Sequence, residues 1–179
     1  MPSRRYHPAG PWSLTRALFL CRAYSRSMTS PTPYLHFPGT AREALGFYAE
    51  VFGGELTLHT FADFGRDDGP GAAIAHGVLT GPVSLYAADA VEGDPQLRTD
   101  GLMFALLGAA EPAVLRRWYA RLASEGTVVD ELQRRPWGAS DGQVRDRYGL
   151  LWLIGFEHQQ AGDLARATTS ADDSSSTDR

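Results

Sequence analysis

The chain has 179 residues, 43% of them hydrophobic, so it can bury a core and general disorder is excluded. Its formal net charge is −4, and it is unevenly spread: residues 1–27 carry five arginines and no acid, whereas 28–160 carry ten arginines against seventeen acids, a sign that repels a phosphate backbone and argues against a nucleic-acid partner. A single cysteine, Cys21, excludes an internal disulfide framework or a CxxC metal site and fits a reducing cytoplasm, and no apolar run reaches the roughly 18 residues that span a bilayer.

Residues 1–29 read as an extension, expected to be disordered or non-native, with a targeting segment or a functional arm as alternatives. Its apolar patch, Ala17-Leu18-Phe19-Leu20, is short for a secretory core segment and is bracketed by Arg16 and Arg22. Met28-Thr29-Ser30-Pro31 lies directly before the first expected strand. The folded domain is expected over 30–158. From 159 to 179 Ser, Thr and Asp replace apolar residues, and a disordered tail is expected there.

Within 30–158 one unit occurs twice, over about 32–90 and 100–157. The first copy opens with the strand Tyr34-Leu35-His36-Phe37. Thr40 and Glu43 then form a Thr-x-x-Glu capping box, which predicts Thr40 as the N-cap of a helix. Leu45, Tyr48 and Phe52 recur at helical spacing, and Gly53-Gly54 ends that helix. Glu55 to Phe61 alternates as a strand. Two further strands are expected at about 72–80 and 83–88. The aspartates Asp63, Asp67 and Asp68 fall in or near the hairpin between the second and third strands and read as a solvated loop without calcium-loop spacing.

The second copy starts at Leu102-Met103-Phe104-Ala105-Leu106-Leu107. Glu111-Pro112 opens its helix, and Leu115, Trp118 and Leu122 make the apolar stripe. Phe47-Tyr48-Ala49-Glu50 matches Trp118-Tyr119-Ala120-Arg121. Thr127-Val128-Val129 starts the next strand, and two more follow at about 142–145 and 150–156. Asp146-Arg147-Tyr148-Gly149 between the last two is a tight-turn signature, and Asp141 beside Gly142 reads as a turn former. The pattern is βαβββ twice, an α+β fold; a parallel doubly wound sheet needs more helices than the sequence offers.

Pro33-Tyr34-Leu35-x-Phe37-x-Gly39-x-Ala41-x-Glu43-Ala44-x-x-Phe47-Tyr48-x-x-Val51-Phe52-Gly53-Gly54-Glu55 resembles the opening signature of PhnB-like proteins of the vicinal-oxygen-chelate superfamily. His76 in a strand and Asp89 also fit that pattern. Trp137-Gly138 together with Asp146-x-x-Gly149-x-x-Trp152 resembles its closing block. The resemblance spans 33–156. It implies two βαβββ modules forming a curved, U-shaped mixed sheet with helices on the outer face, often completed by a homodimer. Its relatives include glyoxalase I, extradiol dioxygenases, fosfomycin-modifying enzymes and bleomycin-binding proteins, and the fold alone does not choose among them.

The superfamily's enzymes hold a divalent metal with His and Glu side chains that converge on the concave face, where it acts as a Lewis acid. By strand parity those positions fall near Thr32, at Leu85 or Tyr86, at Gly101 to Met103 and near Leu153. None is a carboxylate or an imidazole, so no metal and no other cofactor is expected. The methyltransferase label carried by some PhnB-like proteins is also discounted, because the Gly-rich turn of a methyl-donor site is missing.

The expected function is binding of a small molecule, a metabolite or an antibiotic, in the concave face. The candidate ligand-binding residues are Tyr34, His36, His76, Tyr86 and Trp137. His36 shares a strand face with Tyr34, and His76 lies in the third strand; both also read as neutral histidines bonded at the sheet surface. The alternative is a lyase or dioxygenase relative in which His36 or His76 acts as general base at a degenerate site.

Overall fold

The computed structural model describes residues 31–94 and 97–158. The expected N-terminal extension and C-terminal tail therefore lie outside the described residues. All the described elements fall in one unit, Thr32–Arg179.

The first module runs β1 (Tyr34–Phe37), α1 (Ala41–Phe52), β2 (Glu55–Thr60), a short 3-10 turn (Ala62–Phe64), β3 (Ile74–Thr80) and β4 (Leu85–Asp89). The second runs β5 (Phe104–Leu107), α2 (Pro112–Ser124), β6 (Thr127–Arg134), β7 (Ala139–Arg145) and β8 (Leu151–Glu157). Each module makes its own four-stranded mixed sheet, in the order β1-β4-β3-β2 and β5-β8-β7-β6. In each sheet the first strand pairs in parallel with the fourth, and the other neighbours are antiparallel. The two βαβββ units read from the sequence are thus present, as an α+β fold.

Alternation along the strands decides which side each helix covers. Leu35 and Phe37 of β1, and Leu85 and Ala87 of β4, are buried beneath α1, whereas Tyr34, His36 and Tyr86 point to the opposite, open face. α1 buries Ala41, Ala44, Leu45, Tyr48, Val51 and Phe52. Gly77 of β3 permits this close approach, since a Cβ there would meet Leu45 Cδ1 at 2.3 Å. In the second module α2 buries Leu115, Trp118, Tyr119 and Leu122.

The capping box does not form. Thr40 makes no side-chain cap bond, and its backbone (φ −118°, ψ 13°) is outside the extended geometry an N-cap needs. Asp89, from the end of β4, takes that role: its carboxylate accepts from Ala41 N at 2.8 Å and from Ile74 N at 2.7 Å. A charged acceptor brought by the tertiary fold outcompetes the local hydroxyl. The Thr-x-x-acid device appears instead one loop later. There Thr60 N donates to Asp63 Oδ2 and Asp63 N to Thr60 Oγ1, at 2.7 and 3.1 Å. Asp68 in the same loop pairs with Arg66.

One core serves both modules. Phe52 of α1 meets Trp152 of β8 at 5.1 Å between ring centroids and Trp118 of α2 at 5.3 Å, edge to face. Tyr48 meets Trp152 at 5.7 Å. The turn residue Asp146 is buried at the centre of this contact. It accepts from Tyr48 Oη, Trp152 Nε1, Tyr148 N and Leu150 N, at 2.8, 2.8, 2.8 and 3.0 Å. Burial first, and the Asp146 carboxylate second, push the Tyr48 phenol far above its ordinary range.

The second module departs from the expected strand limits at two places. β5 begins at Phe104 rather than Leu102, because Leu102 N turns back to Thr99 O. β7 is longer than expected, beginning at Ala139, and a turn in which Gly138 takes a φ of 94° joins it to β6. Asp141, expected in a turn, lies inside β7 and pairs with Arg135 at 2.9 Å; Arg135 also binds Asp130.

Candidate functional site

The strand registers assemble the site on the open face of the first sheet. His36 of β1 lies beside Ala88 of β4. Gly77 pairs with Ala87, which sets His76 of β3 on the other side of Ala88. His76 in turn pairs with His59 of β2. Three imidazoles therefore stand in one row, interrupted only by a methyl group. The neighbouring row holds Tyr34, Tyr86, Val78 and Thr57.

Two imidazoles that flank one intervening strand stand about 10 Å apart at their backbones, twice the strand spacing of roughly 4.8 Å. Between them Ala88 leaves a slot. Tyr34 fills it. Its ring lies 5.4 Å from the His36 ring and 5.6 Å from the His76 ring, nearly parallel to the latter. Its hydroxyl crosses β4 to lie 3.0 Å from His76 Nδ1. Tyr86 closes one flank, 6.2 Å from Tyr34 and 5.8 Å from His76. Tyr34 nevertheless remains 44% exposed, an aromatic ring held at the surface by one side-chain hydrogen bond. Partial burial raises its phenol pKa, and the charge of Arg66 opposes that rise.

His36 has the opposite condition. Its Nδ1 is buried and finds no hydrogen-bond partner among the described residues. An unmet polar atom of this kind costs about 1–3 kcal/mol. The Tyr34 hydroxyl and His76 Nδ1 share one hydrogen bond, so the face offers imidazole nitrogens and phenol hydroxyls but no carboxylate in either row.

Four of the expected residues, Tyr34, His36, His76 and Tyr86, thus form one cluster. Trp137 stands apart, 53% exposed in the turn between β6 and β7 of the second module. His59 belongs to the imidazole row and has no signal in the sequence by itself, because only the pairing of β2 with β3 places it opposite His76; its ring stacks on Phe64 at 5.4 Å.

Gly138-Ala139-Ser140-Asp141-Gly142 has the GxSxG spacing of a nucleophile elbow, and Ser140 Oγ does meet His158 Nε2 at 2.8 Å. Ser140, however, lies within β7 rather than at a strand-to-helix turn, and it is 3% exposed. No carboxylate bonds to His158 among the described residues. The pair satisfies a buried hydroxyl. A cavity of about 510 Å³ opens elsewhere, lined by Phe37, Thr40, Glu43, Leu97, Arg147 and Tyr148. It is on the helix side of β1 and includes none of the cluster. Its guanidinium, Arg147, is already bound to Glu125 and the Tyr148 hydroxyl.

Matches to known proteins agree with this architecture. Residues 34–154 match the family model of the Glyoxalase/Bleomycin resistance protein/Dioxygenase superfamily, and the chain belongs to that superfamily. The chain is 26% identical over 145 residues to protein YjdN of Escherichia coli K12, covering 72% of this chain and 96% of YjdN. Among solved structures it is similar to PA1353 of Pseudomonas aeruginosa, with 30% identity, a TM-score of 0.62 and coverage of 74% of this chain and all of that one. It shares the fold of a Bacillus cereus PhnB protein described as a putative 3-demethylubiquinone-9 3-methyltransferase, at 18% identity and a TM-score of 0.58, over 72% and 99% of the two chains.

Several members of this superfamily work through a divalent metal. The positions expected for its ligands from strand parity hold Thr32, Leu85 or Tyr86, Gly101 to Met103, and Leu153, and among the described residues no three His, Cys, Asp or Glu side chains are grouped to hold an ion. Hydroxyl, apolar and glycine positions do not fit a cation that needs about three converging imidazole or carboxylate ligands. No helix among the described residues is long and apolar enough to cross a membrane.

Proposed function

We propose that the protein binds a small molecule on the open face of its first module, directly through side chains and without a metal. The observation that carries this reading is the Tyr34–His36–His76–Tyr86 cluster. Aromatic rings, one of them 44% exposed, surround imidazoles with spare hydrogen-bonding capacity, which is the composition of a ligand site rather than of a solvated sheet. The bound molecule belongs to the metabolite or antibiotic class, and the protein acts in the cytoplasm as a homodimer.

The Tyr34–His76 hydrogen bond favours one further reading, a proton-transfer role for His76 in a lyase- or dioxygenase-related enzyme. Two measurements separate the readings. A thermal-shift screen against metabolites and antibiotics should find a stabilising ligand, since a ligand at about 100 times its Kd adds roughly 2.7 kcal/mol. The gain should vanish in His76→Ala. Elemental analysis of the purified protein should find no stoichiometric metal; an ion present at one per chain, and lost when His36 and His76 become alanine, would defeat the metal-free reading.

A further inference from the structure

We infer that the slot over Ala88 takes a planar, uncharged ring that carries a hydrogen-bond donor, and that Tyr34 is an internal occupant which such a ligand displaces. This rests on the binding function proposed above and narrows it to a ligand class.

Three observations converge. The first is the composition of the row: His36 and His76 flank Ala88, so only a methyl group stands between the two imidazoles. The second is the present occupant. A phenol lies in that space, close to both imidazole rings, with its hydroxyl on His76 Nδ1. The protein itself thus shows which chemistry the slot accepts. Ala88, at 6% exposure, is covered by what lies over it. The third is His36 Nδ1, a buried nitrogen of the residue flanking the slot that has no hydrogen-bond partner among the described residues. Tyr34, tethered to β1, bonds only to His76.

The charge on this face selects further. Neither row contains a carboxylate to attract a cation, and the nearby guanidinium of Arg66 is neutralised by Asp68. Neutral donors such as phenols and ring N–H groups therefore suit the slot better than charged ligands. Tyr34 can leave at little cost because it is exposed and lies outside the shared core.

The test uses 4-methylphenol, which reproduces the tyrosine side chain, and 4-methylanisole, the same ring with its donor blocked. Each is titrated into the full-length protein and into Tyr34→Ala by calorimetry, with the His76 ring nitrogens followed by NMR. Vacating the slot should tighten 4-methylphenol binding by about tenfold, and the phenol should bind about tenfold more tightly than the anisole. The preference should shrink when His36 and His76 are both replaced by phenylalanine. Tyr34→Phe, which keeps the ring in place but drops its hydrogen bond, guards against a folding defect in Tyr34→Ala and should bind the phenol with intermediate affinity. Equal affinity for phenol and anisole overturns the donor requirement while leaving a ligand site in place. Binding to Tyr34→Ala no tighter than to the wild-type chain overturns the role of Tyr34. Failure of both compounds to bind any variant removes the slot, and with it the site proposed for the first module.

Discussion

The two modules share a plan and diverge on the face that the helices leave open. In the first, that face carries Tyr34, His36, His59, His76 and Tyr86. In the second, the corresponding face of β5, β8 and β7 carries Ala105 and Leu107, Leu151, Leu153 and Gly155, and Asp141, Gln143 and Arg145, with no imidazole or aromatic ring among them. The helix-covered faces meet in one core to which both modules bring aromatic rings. The second module supplies Trp118, Trp152 and the buried Asp146, around which the first module's Tyr48 and Phe52 are packed. The two copies thus differ in what they carry: one has the imidazole–tyrosine cluster on its open face, and the other supplies the buried carboxylate on which Tyr48 and Trp152 converge.

If that difference holds, the largest stability losses come from the second module. Asp146→Ala leaves a phenol, an indole N–H and two backbone N–H groups without an acceptor in the interior, and should cost about 3–5 kcal/mol. Asp89→Ala in the first module strands only two backbone donors, one of them at a helix end, and should cost about 2 kcal/mol. Urea unfolding of both variants compares them directly. Equal losses would erase the asymmetry.

Glycines sharpen the same contrast at smaller amplitude. A Cβ at Gly142 of β7 would meet the Leu132 backbone at 2.6 Å, across the irregular β6–β7 pairing. A Cβ at Gly77 of β3 would meet side-chain methyls of Leu45 and Leu58, which can turn aside. Gly142→Ala should therefore cost about 3 kcal/mol and Gly77→Ala about 1–2 kcal/mol. The order of the two melting temperatures is the check.

Much of this was legible in the sequence, for a physical reason. Helix stripes such as Leu45, Tyr48 and Phe52, and alternating runs such as Tyr34 to Phe37, record burial, and burial is what sets the elements and their repetition. The pairing of Tyr34 with His36 on one face also follows from alternation alone. What escaped depends on partners distant in the chain. Asp89 replaces Thr40 at the helix end because β4 ends beside it. Asp146 reads as a turn former, and it is one, since Gly149 N returns to its carbonyl at 3.0 Å; that Tyr48 and Trp152 also converge on its carboxylate is a fact of tertiary packing. His59 joined the site only through register, and Ser140 showed a motif spacing whose structural setting is wrong.

Alkaline titration separates two tyrosines of the first module, Tyr48 in the shared core and Tyr34 on the open face. Tyr48 has its phenol pKa raised by burial and by Asp146, so the folded chain keeps that proton after the unfolded chain begins to lose it near the ordinary value of 10.0. The unfolded state then binds fewer protons, and stability falls as pH rises past about 10, by up to roughly 1.4 kcal/mol per unit. Below that pH the contribution is complete and flat. Tyr48→Phe should flatten the alkaline limb of a melting-temperature profile. Tyr34→Phe should change it much less, because its phenol is only partly buried.

The smallest effect has the opposite sign, and it bears most directly on function. His36 carries a buried nitrogen with no hydrogen-bond partner among the described residues, so a side chain of similar shape and no polar atoms should relieve a standing cost. His36→Phe is expected to raise stability by about 1 kcal/mol while weakening ligand binding. A residue retained only for packing would show neither the gain nor the loss. Gln143→Leu, on the open face of the second module, should change ligand affinity little, since that face has no part in the slot. Gln143→Leu weakening the ligand as much as His36→Phe does would mean that both copies contribute to one site, and the division between them would have to be redrawn.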